Sequence, residues 1–312
     1  MSKAEPKTTL SSVAIIVPTC GRPELLKICL RQILPYIEEH TGCVIVVSDD
    51  GNADRTRAAL GTEFNHVKLV QGPRRGPAAN RNRGVEYSTG DLLVFLDDDC
   101  RPDTDLIEEY RRAAVRYPEC SVFEGRISAE GTWTSFADGA PANETGGQLW
   151  SCNFAVRRDL FLSIGGFDDR FPFPTMEDME FKVRVQKRSR ICFLPEARVF
   201  HGIQRRTEWR HLRHHALSVI LYCHLHGFRE TGHSPWRILF SIASILKRDS
   251  LRYVRGEVRK DLTHVFSIIW MHVLILIVVL FWGFHPYLAR KFFPACCAGC
   301  RSIHASLMHD GE

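Results

Sequence analysis

Short apolar runs alternate with amphipathic stretches from residue 12 to residue 201, and this rhythm predicts the architecture. Val13–Val17 is an apolar run closed by Pro18 and reads as a strand. After a turn at Thr19–Arg22, Leu25, Leu26, Cys29, Leu30, Ile33 and Leu34 recur at three- and four-residue intervals. That spacing predicts an amphipathic helix, with Pro23 suited to its first position and Pro35 kinking or ending it. Val44–Val47, Val67–Val70 and Leu92–Leu96 read as further strands, with helices expected over Pro77–Tyr87 and Asp103–Tyr117. Strands alternating with helices imply an α/β fold: a mostly parallel sheet with helices on both faces, binding ligands at the carboxyl ends of its strands.

One later segment breaks this rhythm. Val265–Phe284 carries no Asp, Glu, Lys or Arg, and its length at about 1.5 Å per residue matches a hydrocarbon core of roughly 30 Å. It is expected to enter a membrane, either spanning it or lying in its interface; a buried core helix is the competing reading. Trp270, Trp282 and Tyr287 suit interfacial positions. Lys247, Arg248, Arg252, Arg255, Arg259 and Lys260 precede the segment, against Arg290, Lys291 and Arg301 after it, so a membrane-attached protein with a cytoplasmic catalytic domain is expected. The organisation read from the chain is a flexible terminus (1–11), a catalytic domain (12–202), a basic helical region (203–264), the membrane-associated helix (265–284) and a tail (285–312).

Composition adds limits. At 312 residues, 45% hydrophobic and 25% charged, the chain can bury a large core, and its net charge of +5 is too mild to imply a nucleic-acid partner. The basic runs Arg205–Arg213 and Lys247–Lys260 suit anionic lipid or phosphate. Eleven cysteines form no regular framework and no secretory leader pattern opens the sequence, so reduced thiols and no disulfides are expected. Cys297 and Cys300, beside Cys296, leave open a zinc site, acylation or a plain tail.

The candidate chemistry lies at the strand ends. Asp97, Asp98 and Asp99 follow the apolar run Leu92–Leu96, and clustered carboxylates at a sheet edge are costly unless water or a divalent cation shares the site. Asp49, Asp50 and Gly51 close the second strand, where taken alone they read first as a sharp turn and second as acceptors for nucleobase N–H and ribose hydroxyl groups. Four motifs then occur in order: VPTCGRP (17–23), DDGNADRT (49–56), GPAANRNRG (76–84) and FLDDDC (95–100). Two more follow, GGFDDRF (165–171) and EDMEFKVR (177–184). Together they resemble the family 2 glycosyltransferases of the GT-A fold over about residues 12–201, whose patterns are close to VPTxxRP, DDGSxDxT, LDxD, GGFDExF and EDxEFxxR.

The resemblance implies roles. Pro18, Thr19, Arg22, Asp49, Asp50, Asp97 and Asp98 would bind the nucleotide-sugar donor. Asn80 and Arg81 would close over its base and ribose, or simply start a helix. Asp99 and Asp97, with His201, would hold Mn²⁺ or Mg²⁺, which offsets the charge developing on a diphosphate leaving group; a satisfied structural histidine is the alternative for His201. Asp178 is the expected general base, because an acceptor hydroxyl needs a carboxylate to take its proton. Glu177 would position the acceptor or support the loop, and Arg184 would fix the helix by pairing with an acid. Trp150, Asn153 and Arg205 are candidates for acceptor contacts, with core packing the competing role for Trp150. Gln204, Arg205, Arg206, Trp209 and Arg210 do not fit the spacing of the QxxRW motif of processive synthases.

The expected function is inverting, metal-dependent transfer of a sugar, with UDP-sugars favoured and dTDP and GDP donors open, to a glycan or lipid-linked acceptor hydroxyl in surface polysaccharide or glycolipid synthesis. A catalytically inactive membrane scaffold that binds nucleotide sugars is the rival. A sugar-nucleotide nucleotidyltransferase is disfavoured, since VPTCGRP is no Gly-rich phosphate loop.

Overall fold

The computed structural model describes residues 12–40, 42–135, 138–205 and 209–226, together with 269, 270, 273 and 277. It divides into two compact units, one of Met1–Gly131 with Ala140–Ile203 and one of Thr132–Gly139 with Gln204–Glu312.

In the first unit β1 (Val13–Thr19), β2 (Cys43–Asp49), β3 (Lys68–Gln71) and β4 (Leu92–Leu96) form a parallel array in the order β3-β2-β1-β4. Register places Thr19 opposite Asp49 and Asp49 opposite Gln71, so these strands finish along one edge. Between them run α1 (Pro23–Glu39), α2 (Ala53–Leu60) and α3 (Pro77–Glu86). Then follow β5 (Cys100–Pro102), α4 (Leu106–Arg116) and β6 (Val122–Glu130), and beyond the second unit's β7 (Asp138–Gly139) come β8 (Asn153–Arg157), α5 (Arg158–Ser163), α6 (Glu177–Gln186) and β9 (Ile191–Gly202). The eight-stranded sheet continues past β4 as β8-β6-β9-β5. Here β8 is antiparallel to both β4 and β6, β6 and β9 are parallel, and β5 is antiparallel to β9. The sheet is therefore mixed, and the mostly parallel arrangement expected from the sequence holds only for β3-β2-β1-β4.

Period-two alternation splits the core between the two faces. Ile15, Val17, Ile45, Val47, Val94 and Leu96 pack with Leu26, Leu30 and Ile33 of α1, Leu60 of α2 and Tyr110 of α4. On the opposite face α3 lies so close to β1 that a Cβ at Gly84 would stand 2.5 Å from the Ile16 Cγ2 atom. The same face carries an aromatic cluster in which Phe95 stacks on Phe154 (4.9 Å between centroids) and Phe167 on Phe181 of α6 (4.6 Å). This apolar contact seats the helix that begins with Glu177 and Asp178.

Two expectations are corrected. Pro35 neither ends nor interrupts α1, which runs on to Glu39. Ile33, Leu34 and Tyr36 stay buried across the proline, and the Tyr36 hydroxyl donates to Glu108 of α4 at 2.9 Å, so tertiary packing outweighs the missing N–H. Cys120 and Cys192 are joined as a disulfide, where reduced thiols are expected from the sequence. They lie 72 residues apart, and only the β6–β9 pairing, with Phe123 opposite Cys192, brings them together.

In the second unit β7 pairs antiparallel with β10 (Gln204–Arg205), and α7 (Trp209–His226) follows. Among the described residues no helix is long and apolar enough to cross a membrane. The expected membrane segment 265–284 lies outside the described residues except at 269, 270, 273 and 277, which are helical, and the tail with its cysteines lies outside them entirely.

Candidate active site

The site forms where the parallel strands end. Asp49 is fully buried, and its oxygens are committed to the turn that follows. Oδ1 accepts from the backbone N–H groups of Gly51 (2.8 Å) and Gly21 (3.1 Å), and Oδ2 from the Thr56 hydroxyl (2.7 Å). Asp50 reaches the other way and accepts from Arg74 N–H (2.8 Å) and Gly76 N–H (2.9 Å), so it orders the segment after β3. Burial raises its pKa against the pull of those two donors. The Asn80 amide, at the start of α3, donates to the Thr19 carbonyl (3.0 Å) and the Ser48 carbonyl (2.9 Å). Its Oδ1 is buried without a partner and faces Asp50: a Cβ at Gly72 would lie 2.4 Å from both oxygens. Pro18, opposite Ser48, is buried within the sheet.

The aspartate triplet divides its work. Asp98 is fully buried, accepts from the Thr19 hydroxyl at 2.6 Å and is gripped at both oxygens by the Arg22 guanidinium. Burial nonetheless pushes its pKa up to about 7, with Arg22 and Thr19 opposing. Arg22 also donates to Asp99 at 3.2 Å. Cys100 of β5 stands opposite His201 of β9, and that pairing sets His201 Nε2 3.3 Å from Asp99 Oδ1. Burial alone would lower the imidazole pKa, but Asp99 more than compensates and the net shift is upward. Asp99, Cys100 and His201 offer ligand atoms within 4.8 Å of one another and could hold a metal ion. A carboxylate with an imidazole suits Mn²⁺ and tolerates Mg²⁺, so the donor set fits the expected cations. Cys100 itself is directed into the core, its thiol donating to the Cys152 carbonyl at 3.8 Å.

Asp97 turns toward Arg81 and the start of α6. Arg81 of α3, only 3% exposed, donates to Asp97 at 2.7 Å and to Glu177 at 3.1 Å. One guanidinium thereby ties the end of β4 to the first turn of α6, while lying over the Phe167 ring. Arg81 Nε and Glu177 Oε2 are buried and have no hydrogen-bond partner. Met176, just before the acidic pair, adopts a left-handed backbone (φ 70°), a strained conformation for a side chain of this kind. Burial, with the charge of Asp178 beside it, raises Glu177 to about 8 against Arg81, and burial raises Asp178 in the same direction. Asp178 also feels Asp97. Arg184 pairs with Glu180 (2.8 Å) and donates to the carbonyls of Ile164 and Gly166, which fixes α6 through an acid.

The acceptor candidates separate. Trp150 is half-buried and packs against the core. Asn153 is wholly buried and committed to the sheet: its Oδ1 accepts from the Tyr110 hydroxyl (2.8 Å), and its amide donates to the Arg126 and Ala197 carbonyls. Arg205 lies in the second unit, and its side chain falls outside the described residues. Sequence reasoning missed Arg81 as a bridge and missed Glu124, a buried carboxylate on β6 that no motif marks.

A mixed α/β sheet with helices on its faces is consistent with the GT-A fold. Residues 14–161 match the model of glycosyl transferase family 2, so this segment of the chain is similar to that family. The glycosyltransferase AglE of Haloferax volcanii is 30% identical over 105 residues, 32% of this chain and 34% of that protein. The glucosyl-dolichyl phosphate glucuronosyltransferase of the same organism is 25% identical over 224 residues, 64% of this chain and 71% of that one. The crystal structure of S. aureus TarS shares the fold, with a TM-score of 0.50 at 16% identity over 67% of this chain and 39% of TarS. The matched segments span 34%, 17% and 30% of the length of three curated relatives, AglE among them.

Proposed function

We propose that this protein is an inverting, metal-dependent glycosyltransferase that moves a sugar from a nucleotide donor to a hydroxyl of a lipid-linked or polysaccharide acceptor at a membrane. The observation that carries the reading is the Arg81 bridge, in which one guanidinium binds Asp97 on one arm and Glu177, the neighbour of Asp178, on the other. On this reading acids distant in sequence serve one site.

Asp178 accepts the acceptor proton, and its raised pKa brings its basicity closer to the working pH. Glu177, held by Arg81, orients that turn. Thr19, Arg22 and Asp50 contact the donor, Asp49, Asn80 and Asp98 hold those groups from beneath, and Pro18 shapes the strand end. Asp99 and His201, with Asp97 nearby, would hold Mn²⁺ or Mg²⁺, which when bound supplies charge neutralisation at the diphosphate. Attack from the Asp178 side, opposite the leaving diphosphate, gives inversion. A UDP donor is the first choice. The lipid-linked acceptor is supported by the name of the glucuronosyltransferase relative, and membrane attachment by the apolar segment 265–284.

The test is release of nucleoside diphosphate from UDP-, dTDP- and GDP-sugars with Mn²⁺. Asp178→Asn is expected to slow release by about 100- to 10,000-fold with donor affinity retained. Full activity in that variant, or no release from any donor by the wild type, overturns the reading.

A further inference from the structure

Glu124 stands on β6 with 1% of its surface exposed and serves no motif. Four donors converge on its carboxylate. Oε1 accepts from the Asn143 amide (2.8 Å), Gln148 N–H (2.6 Å) and Leu149 N–H, and Oε2 from Gly147 N–H (2.7 Å). The donors come from one loop whose backbone is left-handed at Gly146 (φ 80°), Gly147 (φ 92°) and Leu149 (φ 52°). Successive N–H groups in such a conformation form a concave nest for an anion. Here the anion is an internal side chain.

The loop leads directly to the proposed base. The Ser151 N–H favours the charged form of the Asp178 carboxylate, and Lys182, one turn along α6, donates to the Gly147 carbonyl at 2.5 Å. Half-buried Gln148 and Trp150 lie between these anchors. The remaining edge is pinned by reciprocal backbone bonds between Asn143 and Ile127.

We infer that Glu124 is a positioning residue for the acceptor: its carboxylate folds the loop 143–149 into a nest and so sets the segment Gln148–Ser151 beside the sugar hydroxyl that Asp178 deprotonates. This rests on the transferase reading above. The donor groups Thr19, Arg22 and Asp50 belong to β1, β2 and the turns after them rather than to the nest.

The experiment uses the full chain with Glu124→Gln, which keeps the shape but turns a donor toward Gly147 N–H, and with Gly147→Ala, which strains the nest from its other side. An added Cβ at Gly147 meets nothing within 4 Å, so only backbone strain is introduced. Octyl β-glucoside and a farnesyl diphosphate-linked N-acetylglucosamine serve as probe acceptors. Both variants are expected to lower the ratio of sugar transfer to donor hydrolysis by about tenfold or more, as misplacement of a reacting group does, with nucleotide affinity unchanged. Hydrogen exchange at the amides of residues 147, 148 and 149 is expected to quicken while β1 and β4 stay protected. Unchanged exchange at those amides overturns the inference, as does nucleotide affinity falling in step with transfer, which would mean general damage. Absence of donor turnover in the wild type would instead sink the transferase reading, and amide exchange would still decide whether Glu124 holds the loop.

Discussion

Arg81 carries more of the site than its place in a helix start suggests. It is buried between Asp97 and Glu177, which is itself almost wholly enclosed. Removing the cation leaves two acids facing each other without compensation, and breaking a buried pair in this way costs about 3–5 kcal/mol. Arg81→Met is therefore expected to lose stability on that scale, read by denaturant unfolding. Arg81→Lys recovers only part, since an ammonium cannot fork between acids on separate elements. The sequence showed Arg81 as a polar residue in a Gly/Asn-rich stretch, and its bridging role was hidden because both partners come from elsewhere, one of them 96 residues away. Asp49 and Asp50 show the same limit. The DDG turn was legible, but that Asp49 turns inward and Asp50 outward depends on Gly21, Thr56 and Gly76, which only the folded strand ends assemble.

The first four strands, α1 and α3 were readable because each carries its own period, whereas the eight-residue α2 was not singled out. Leu92–Leu96 falls at its expected limits, and the helix expected from Pro77 ends at Glu86, one residue short of Tyr87. Strand direction leaves no such mark. Asn153–Phe154–Ala155–Val156 is buried at every position, and a strand enclosed on both faces reads alike whichever way it runs, so the antiparallel insertion of β8 was not visible. Close approach between elements is similarly silent until a glycine reveals it. Gly84→Ala would press a methyl into Ile16, and overpacking of this kind costs about 1–3 kcal/mol; a lowered denaturation midpoint with an unchanged slope would show it. Gly76 is more consequential, because its backbone is left-handed (φ 96°), a Cβ there would meet the Pro172 carbonyl at 2.2 Å, and its N–H holds Asp50. Gly76→Ala is expected to weaken nucleotide binding more than it lowers stability, a contrast that isothermal titration and thermal unfolding would measure together.

At the scale of the whole molecule, the site sets stability against function. Asp98 is raised to about 7 and Glu177 to about 8 by burial, and His201 is raised by Asp99. In each case the folded protein holds its proton more tightly than the unfolded chain does. The stabilisation so gained is fully present below the unfolded pKa of each group and is lost as pH rises through its folded pKa, so stability should fall from about pH 4 to about pH 8. Asp98→Asn with Glu177→Gln should flatten that slope, and an unchanged slope would refute the assignment. On the proposed reading activity has the opposite sign, since Asp178 would have to lose its proton to act as the base, so the acid limb of the rate profile should lie above the usual carboxylate range of about 3.9. Asp97→Asn should move that limb down by removing a neighbouring charge. A divalent cation links the two trends. Holding one at Asp99 and His201 requires a neutral imidazole, so binding releases a proton and strengthens as pH rises. The increase in melting temperature on adding Mn²⁺ should therefore grow from about pH 6 to about pH 8 in the wild type, and the cation should stabilise the enzyme most where its own acids do so least. In His201→Ala that growth should disappear, while a pH-independent increment in the wild type would place the cation elsewhere.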